Sequence, residues 1–456
     1  MAAPGADRRL DSVTRWSLGG LAAVYALQLF SPLRLTVDAH ALLSMAVSAS
    51  QGHGYLDDGQ STQFPFGYPF LIRALLACGI ASSATLVAVN LAFLALGLWV
   101  VRVWAQDDPQ PGAAHLPVIA VLASWVVIKH VTLPQSDLVY FGVSLLALHC
   151  LVQFGEQTGP HKWWSLALSV CLSSAALACR TVGISLFPVL CAAVLGHRDA
   201  VAVRAWLSAR RWRLVALAGA GGLLLWAAWL WIRTSEWYAA QFVLGNSYGQ
   251  TMRATYQGQP VTAVLMTSLR WLAIEFGTLF SNVPRRQIPS LWWFYHIWGG
   301  VTWGLVCYGA GLAFRERARL PLVAYCASFS TMVFVWAFHE ERLWLPLLPV
   351  LVLFLLTAVR DLQRRWPWLR APMRLWLAAC LALGGGALLH STRLSLSGRE
   401  FGERYGDGQT RMTYRYAFGT DAPVDSALVD LGMVANLRVF EPLARPATTG
   451  TAGATP

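Results

Sequence analysis

Residues 37–72 read VDAHALLSMAVSASQGHGYLDDGQSTQFPFGYPFLI and come directly after the first strongly apolar run of the chain. The first part, DAHALLSMAVSAS, consists of helix-forming residues with apolar side chains in steps of three and four, and Gly52 is a suitable stop. This pattern predicts a short helix beginning near Asp38, where the helix dipole favours a carboxylate. A cap on this helix would by itself account for Asp38. Any further role for Asp38 needs evidence from the rest of the chain.

The rest of the chain has the composition of an integral membrane protein. Of its 456 residues, 56% are apolar and 13% are charged, whereas soluble domains carry about 25% charged residues. Several apolar runs reach the roughly 20 residues that cross a hydrocarbon core, and shorter runs must tilt or lie partly in the interface. We expect an all-α polytopic protein with about eleven transmembrane helices. They are centred near residues 24, 94, 123, 146, 170, 189, 223, 302, 330, 351 and 383.

Arginine-rich loops predict the orientation of these helices. The net charge is +12, but the excess lies in short alternate loops near residues 198–213, 315–319 and 360–374, as the positive-inside bias predicts for a cytoplasmic N-terminus. The charge therefore indicates topology and not a nucleic-acid partner. We divide the chain into a cytoplasmic N-terminus (1–15), a transmembrane domain (16–390) and an external C-terminal tail (391–456). The first run, from about residue 16, is too long for a signal peptide and should be a retained anchor.

Two long external loops interrupt the membrane domain, at residues 34–83 and 234–290. We expect an amphipathic helix lying on the membrane surface in the first, and one or two interfacial helices in the second. In the tail, RMTYRYAF predicts a strand, a helix should begin near Asp421, and the last dozen residues should be disordered. Since almost all non-membrane sequence lies on one side, we expect the protein to act at its external face.

Several classes of function lack their sequence signatures. The chain has no P-loop, no dinucleotide-binding glycine motif, no HExxH and no nucleophile elbow. Its eight cysteines show no metal-binding spacing and should be free thiols. Ionisable residues are almost absent from the middle of the predicted spans, whereas transporters of ions or protons normally keep some there.

Polar residues instead gather in four external turns, and both signs of charge are present. In chain order these residues are Asp38, His40 and His53; Lys129, His130, Gln135 and Asp137; Arg180 and Thr181; and His339, Glu340, Glu341 and Arg342. Because carboxylates flanked directly by apolar helix are unusual in solvated turns, we expect a shared site. A helix cap on the fourth span remains an alternative role for Asp137.

The order of these features resembles the GT-C class of membrane glycosyltransferases. The resemblance is to the bacterial branch with the lipid A aminoarabinose transferases, the protein O-mannosyltransferases and the Rgt-type lipopolysaccharide transferases. The matching features, over about residues 15 to 360, are Asp38 after the first span, Gly52-His53-Gly54-Tyr55, Pro65-Phe66-Gly67-Tyr68-Pro69, Asp137, Arg180 to Gly183, and Arg342 in ERLWLPLLP. Two departures are that Ala39 follows Asp38, where the family often has a second acid, and that Phe66 replaces a common proline.

The resemblance implies a polytopic enzyme of the bacterial inner membrane that transfers a sugar from a polyprenyl phosphate to an acceptor hydroxyl with inversion. Asp38 would be the catalytic base and Asp137 the second carboxylate, which would orient the acceptor or hold Arg180 or Lys129. Arg342, Arg180 and Lys129 would bind the donor phosphate.

The remaining candidates would line the cavity or contact the acceptor. They are His40, His53, Tyr55, Tyr68, His339, Glu340 and Glu341. Asp38 and His40 should point to different sides of a helix, because residues two apart do not share a face. No metal ligands are assigned, although a divalent metal is possible, and the expected partners are membrane lipids, the lipid-linked sugar and a glycan, lipid or protein acceptor. The alternatives are a flippase for lipid-linked saccharides and a non-catalytic envelope assembly factor.

Overall fold

A computed structural model describes residues 4–60, 62, 64–106, 113–157, 161–196, 254–283, 289–336, 338–404, 408–420 and 422–442. Within these ranges the regular elements are helices, and the one bridge of strand type joins Asp57 to Gln60. The predicted all-α membrane fold is therefore confirmed.

The described α-helices run in this order: α1 (Pro4–Ala26), α2 (Val37–Ser50), α3 (Gly67–Ala77), α4 (Ser83–Ala105), α5 (Leu116–Leu122), α6 (Trp125–Val131), α7 (Asp137–Glu156), α8 (His161–Cys179), α9 (Leu186–Gly196), α10 (Val261–Ser281), α11 (Trp292–Ala313), α12 (Leu320–Phe334), α13 (Leu348–Arg365), α14 (Arg370–Leu396), α15 (Gly398–Arg404), α16 (Gly408–Phe418) and α17 (Leu431–Phe440). Five helical segments among them are long and apolar enough to cross a membrane: α4, α7, α8, α10 and the segment Pro367–Leu396 that contains α14. The span expected near residue 223 lies outside the described residues.

The span expected near residue 123 is two short helices, α5 and α6. Ser124 between them has an extended backbone, with φ −78° and ψ 126°. Asn282, which follows α10, fills the break, because its Oδ1 accepts a hydrogen bond from the Trp125 N–H at 3.2 Å while its Nδ2 donates to the Cys380 carbonyl at 3.3 Å. A long-range contact therefore supplies the partner that a continuous helix would not need.

The interfacial helices expected in the large external loop are not observed in its described part. Helix α10 instead packs along α11 and is long enough to cross a membrane. Glycines allow this close approach, because a Cβ at Gly299 would lie 1.8 Å from the Ala273 carbonyl oxygen and one at Gly277 would lie 2.2 Å from that of Tyr295. The apolar residues of this segment continue over the 21 residues of α10, which is long enough to cross a membrane.

Helix α2 was expected to lie on the membrane surface, but nine of its 14 residues are buried. It packs against α3 and against α17 of the tail. The small alanine side chains on more than one face allow neighbours to approach from several directions. The helix is thus part of the protein interior, and its N-terminal turn opens onto the site described below.

The tail is also helical where a strand was expected. Residues of RMTYRYAF form most of α16, whose buried side chains, Thr410, Thr413, Tyr414 and Ala417, follow the spacing of one helix face. The helix expected from near Asp421 begins only at Leu431, because Asp430 caps it by accepting from the Met433 N–H at 2.9 Å. The terminal segment expected to be disordered, beyond residue 442, lies outside the described residues.

Candidate active site

A cavity of about 340 Å³ lies where the N-terminus of α2, the start of α7, the end of α8 and the turn after α12 meet. Its polar lining is Asp38, Gln135, Ser136, Asp137, Arg180, Thr181, Glu340 and Arg342, and its aromatic lining is Phe64, Trp336 and Phe338. All four external turns predicted to converge therefore contribute to one cavity. Aromatic faces beside paired charges suit a ligand that is part sugar ring and part phosphate.

Asp38 is the second residue of α2 but does not cap it. The capping atom is Thr36 Oγ1, which accepts from the Ala39 N–H at 3.2 Å. The Asp38 carboxylate is therefore available to another partner, and Arg342 Nη2 lies 2.5 Å from its Oδ2. The same guanidinium holds a second acid, since Arg342 Nε lies 2.5 Å from Glu340 Oε2.

Arg342 is consequently a shared cation at the cavity wall. Its burial opposes the charge, but the carboxylates of Asp38, Asp137 and Glu340 more than offset this and raise the pKa of Arg342 above its ordinary value. The guanidinium stays charged at every physiological pH. Its side chain is 24% exposed and that of Asp38 is 32% exposed, so an incoming ligand can reach both.

The second carboxylate of the cavity, Asp137, forms an ion pair with Arg180 through Oδ1 and Nη1. Asp137 is the first residue of α7, and Arg180, which follows α8, has an extended backbone. The Asp137 side chain is only 5% exposed. Of the two partners that the sequence analysis considered for Asp137, the structure shows Arg180.

Hydrogen bonds from neighbouring elements hold these turns together. Gln135 Nε2 donates to Thr36 Oγ1 at 2.7 Å and so connects the start of α7 to the start of α2. Asn90, in the middle of α4, donates to the carbonyls of Val131 and Leu133 at 3.0 Å each. The turn before Asp137 is therefore fixed by a buried amide that the sequence analysis did not identify.

The fold of the chain is similar to that of a solved protein. No family model and no curated protein matches the chain. The crystal structure of ArnT from Cupriavidus metallidurans bound to undecaprenyl phosphate has a TM-score of 0.53 at 14% identity, over 94% of this chain and 76% of that one. The apo structure of the same protein has a TM-score of 0.50 at 16% identity, with the same coverage. The chain has the GT-C fold.

Within this GT-C fold, one buried carboxylate was missed by the sequence analysis. Glu275 lies in α10, with its side chain 4% exposed, and its Oε1 is 3.4 Å from His339 Nδ1. Trp344 Nε1 donates to its other oxygen at 2.6 Å, and Trp271 stacks on the His339 ring at 5.3 Å. Glu275 thus anchors both ends of the turn that carries Arg342. The sequence signal for Glu275 is a lone acid in an apolar segment of helical periodicity. That segment lies within residues 234–290, which we predicted to be an external loop.

Lys129 lies near Arg342 but does not line the cavity. It is in the last turn of α6, a helix of seven residues, and its ammonium lies 5.8 Å from the ring centroid of Trp125. Burial, together with the nearby guanidinium groups of Arg34 and Arg342, lowers the pKa of Lys129 to about 8. A third cation, whose charge depends on pH, therefore lies close to Arg342 and outside the cavity lining.

The predicted acceptor residues are placed differently from one another. Glu340 lines the cavity, and His339 contacts Glu275 instead. His53 is exposed and Glu341 is partly buried, and neither lines the cavity. The rings of Tyr55 and Tyr68 are fully buried in the core.

His40 points away from the cavity, toward the tail. Its Nε2 is 3.2 Å from Asn436 Nδ2. Possible ligand atoms of His40, Asp57 and Asp58 lie within 4.8 Å of one another, so these residues could hold a metal ion. Burial raises the pKa of Asp57, and the neighbouring Asp58 adds to the rise while His40 opposes it. This group is separate from the cavity lining.

Proposed function

We propose that this protein is an inverting glycosyltransferase that moves a sugar from a polyprenyl-phosphate donor to an acceptor hydroxyl. The observation that carries the proposal is the pairing of Asp38 with Arg342 in one accessible cavity. Support comes from the likeness in fold to ArnT, whose structure contains undecaprenyl phosphate. The acceptor is a glycan, a lipid or a protein of the cell envelope.

The reaction needs a base on one side of the sugar and cations on the other. The acceptor O–H attacks the anomeric carbon, Asp38 takes the proton, and a new C–O bond forms. The bond from the anomeric carbon to the phosphate oxygen breaks on the opposite face, and its electron pair leaves with the lipid phosphate. A positioned carboxylate contributes about 100- to 10,000-fold to such a step.

The leaving phosphate gains one negative charge as the bond breaks. Arg342 and Arg180 offer guanidinium groups, which match phosphate oxygens in bidentate geometry, and Lys129 adds a point charge. Preorganised cations stabilise this developing charge without reorganising in the transition state.

Arg342 has to change partners for Asp38 to act. Its guanidinium contacts both Asp38 and Glu340. A lipid phosphate at the cavity would compete for the same N–H groups and release the Asp38 carboxylate. Binding of the donor would then activate the base, so transfer should require the donor to bind before the acceptor reacts.

The proposed setting is the bacterial inner membrane, with multiple spans, a cytoplasmic N-terminus, and the cavity and tail on the external side. The step described above draws its charges from protein side chains. A divalent cation, if one takes part, would find the carboxylates of Asp38 and Asp137 at the same cavity. Turnover measured with and without EDTA distinguishes a mechanism that needs a divalent cation from one that uses protein side chains alone.

The test uses purified protein in nanodiscs with a panel of sugars linked to undecaprenyl phosphate. We expect release of undecaprenyl phosphate together with a glycosylated acceptor from envelope extracts, and its loss in Asp38→Asn. The thermal unfolding midpoint should be unchanged in that variant, and undecaprenyl phosphate should bind at least as tightly, because Asp38 no longer competes for Arg342. Full transfer by Asp38→Asn would show that Asp38 is not the base.

One observation favours a second function, the transport of lipid-linked saccharides. Glu275 is a buried acid within a helix long enough to cross a membrane, and it contacts His339, an arrangement that transporters use to carry protons. Translocation of a fluorescent undecaprenyl-phosphate sugar across vesicles, lost in Glu275→Gln and independent of Asp38, would support transport over transfer.

A further inference from the structure

Residues 31–36, which lead to Asp38, form no α-helix, so their backbone groups have no helical hydrogen bonds with one another. Buried backbone groups in such a segment must find hydrogen bonds elsewhere. The Arg34 N–H donates to the Thr132 carbonyl at 3.0 Å, and further partners come from residues 391–441, at the opposite end of the chain. The contacts join Ser31 to Ser395, Leu33 to Glu441, Arg34 to Ser391 and Ser395, and Leu33 and Leu35 to Tyr414.

Tyr414 makes the most direct of these contacts. Its hydroxyl donates to the Leu33 carbonyl at 2.7 Å and accepts from the Leu35 N–H. Tyr414 is 1% exposed, and its ring stacks on that of Phe418 and contacts that of Phe401 at an angle of 45°. One hydroxyl on a rigid ring thus satisfies two backbone groups, the nearer of them three residues before Asp38.

Glu441 supplies the second direct contact. Its Oε1 accepts from the Leu33 N–H at 2.7 Å. Burial raises the pKa of Glu441, and the hydrogen bond from Leu33 opposes that rise. Because a buried polar group is costly without a partner, the Glu441 side chain depends on its hydrogen bond from Leu33.

Arg34 completes the attachment from the other side. Its Nη2 donates to the Ser391 carbonyl at 2.7 Å, and the guanidinium lies 5.8 Å from the centroid of the Phe401 ring. Further along, His40 on α2 contacts Asn436 of α17. The described part of the tail thus contacts the chain on both sides of Asp38, and none of its residues lines the cavity.

We infer that the tail is a positioning element for the site, in which Tyr414 and Glu441 set the place of Asp38 against Arg342. This inference rests on the proposed role of Asp38. A reacting group displaced by about 1 Å can lose about 100-fold in rate. The partners of the donor phosphate, Arg342 and Arg180, lie on other elements, so the tail should affect turnover and leave donor affinity unchanged.

The first experiment compares Tyr414→Phe with Tyr416→Phe. Both remove one hydroxyl from α16, and Tyr416 is only partly buried. We expect Tyr414→Phe to lower kcat about 10- to 100-fold while the Kd for undecaprenyl phosphate stays within about twofold. Amide hydrogen exchange of peptides covering residues 31–40 should become faster in Tyr414→Phe, and Tyr416→Phe should match the wild type in every measurement.

The second experiment uses Glu441→Gln and Glu441→Ala. Glutamine keeps an oxygen that can accept from Leu33, so Glu441→Gln should retain kcat within about threefold. Glu441→Ala should behave as Tyr414→Phe does. A variant that were only less stable would lose donor binding and turnover in parallel and would not be rescued by glutamine.

Two results would overturn the inference. One is wild-type kcat in Tyr414→Phe although exchange at residues 31–40 is faster. The other is an equal loss of donor affinity and of kcat. Failure of the proposed function gives a different result, namely no transfer by the wild type or full transfer by Asp38→Asn, whereas both results above are obtained with a wild type that transfers sugar.

Discussion

The two ion pairs of the cavity have the same chemistry but different surroundings. Asp38 and Arg342 are 32% and 24% exposed, and Arg342 is shared with Glu340. Asp137 and Arg180 are 5% and 18% exposed and contact each other directly. An accessible pair can exchange its partner for a ligand, whereas a buried pair that loses one partner leaves an uncompensated charge. The first pair is therefore suited to chemistry, whereas the second holds α7 and α8 in place and keeps Arg180 at the cavity.

The largest effect should come from the accessible acid. We expect Asp38→Asn to lower kcat for sugar transfer by about 100- to 10,000-fold, because the amide cannot take the acceptor proton. Glu340→Gln is the matched control, since it changes the other acid on Arg342 and should cost less than about tenfold. Equal losses in the two variants would mean that the accessible pair acts only through its charge. The measurement is steady-state transfer in nanodiscs.

The buried pair should respond in stability. Asp137→Asn leaves Arg180 without its carboxylate, and breaking a buried pair costs about 3–5 kcal/mol. We expect a lower unfolding midpoint in detergent for Asp137→Asn, and an unchanged midpoint for Asp38→Asn. If Asp137→Asn were as stable as the wild type and inactive, Asp137 would belong with Asp38 in the chemistry.

The two arginines should also differ when each is changed to lysine. Arg342→Lys loses the planar fork that grips phosphate, and we expect the Kd for undecaprenyl phosphate to rise about tenfold, which corresponds to about 1.4 kcal/mol. Arg180→Lys should lower stability and raise the same Kd by a smaller factor. Arg270→Lys, an exposed position on α10, serves as the control for a general effect of lysine. Equal Kd values for Arg342→Lys and the wild type would remove Arg342 from the donor site.

The smallest effect should come from pH. Because the pKa of Lys129 is lowered to about 8, its ammonium is charged below that pH and loses its proton above it. Donor affinity should therefore weaken by up to about fivefold from about pH 7 to about pH 9, as expected for one partly screened charge.

Lys129→Met should abolish this pH dependence. Lys162→Met is the matched control, because Lys162 also lies over a tryptophan, 5.6 Å from the Trp163 centroid, at the opposite end of α8 from Arg180. A pH dependence that persisted in Lys129→Met would assign the titration to another group.

Local sequence patterns predicted much of this structure and failed where contacts between distant segments decide the outcome. The start of α2 and the converging external turns followed from apolar spacing and the positions of charges. RMTYRYAF was wrongly predicted as a strand, because aromatic and threonine residues suit a strand. Helix α16 instead packs against α15 and contacts the segment before Asp38 through Tyr414. Glu275 was missed because its partners, His339 and Trp344, lie more than 60 residues away in the turn that carries Arg342.

By itself, the sequence determined a helical membrane protein with polar residues of both signs at one face. Hydrophobic length and charge placement are properties of short segments, so they can be read locally. Only the tertiary structure decided that the Asp38 carboxylate pairs with Arg342, that Asp137 pairs with Arg180, and that the tail holds the segment before Asp38. These pairings join residues 43 to more than 400 positions apart, and no local pattern specifies which partner a charged group will meet.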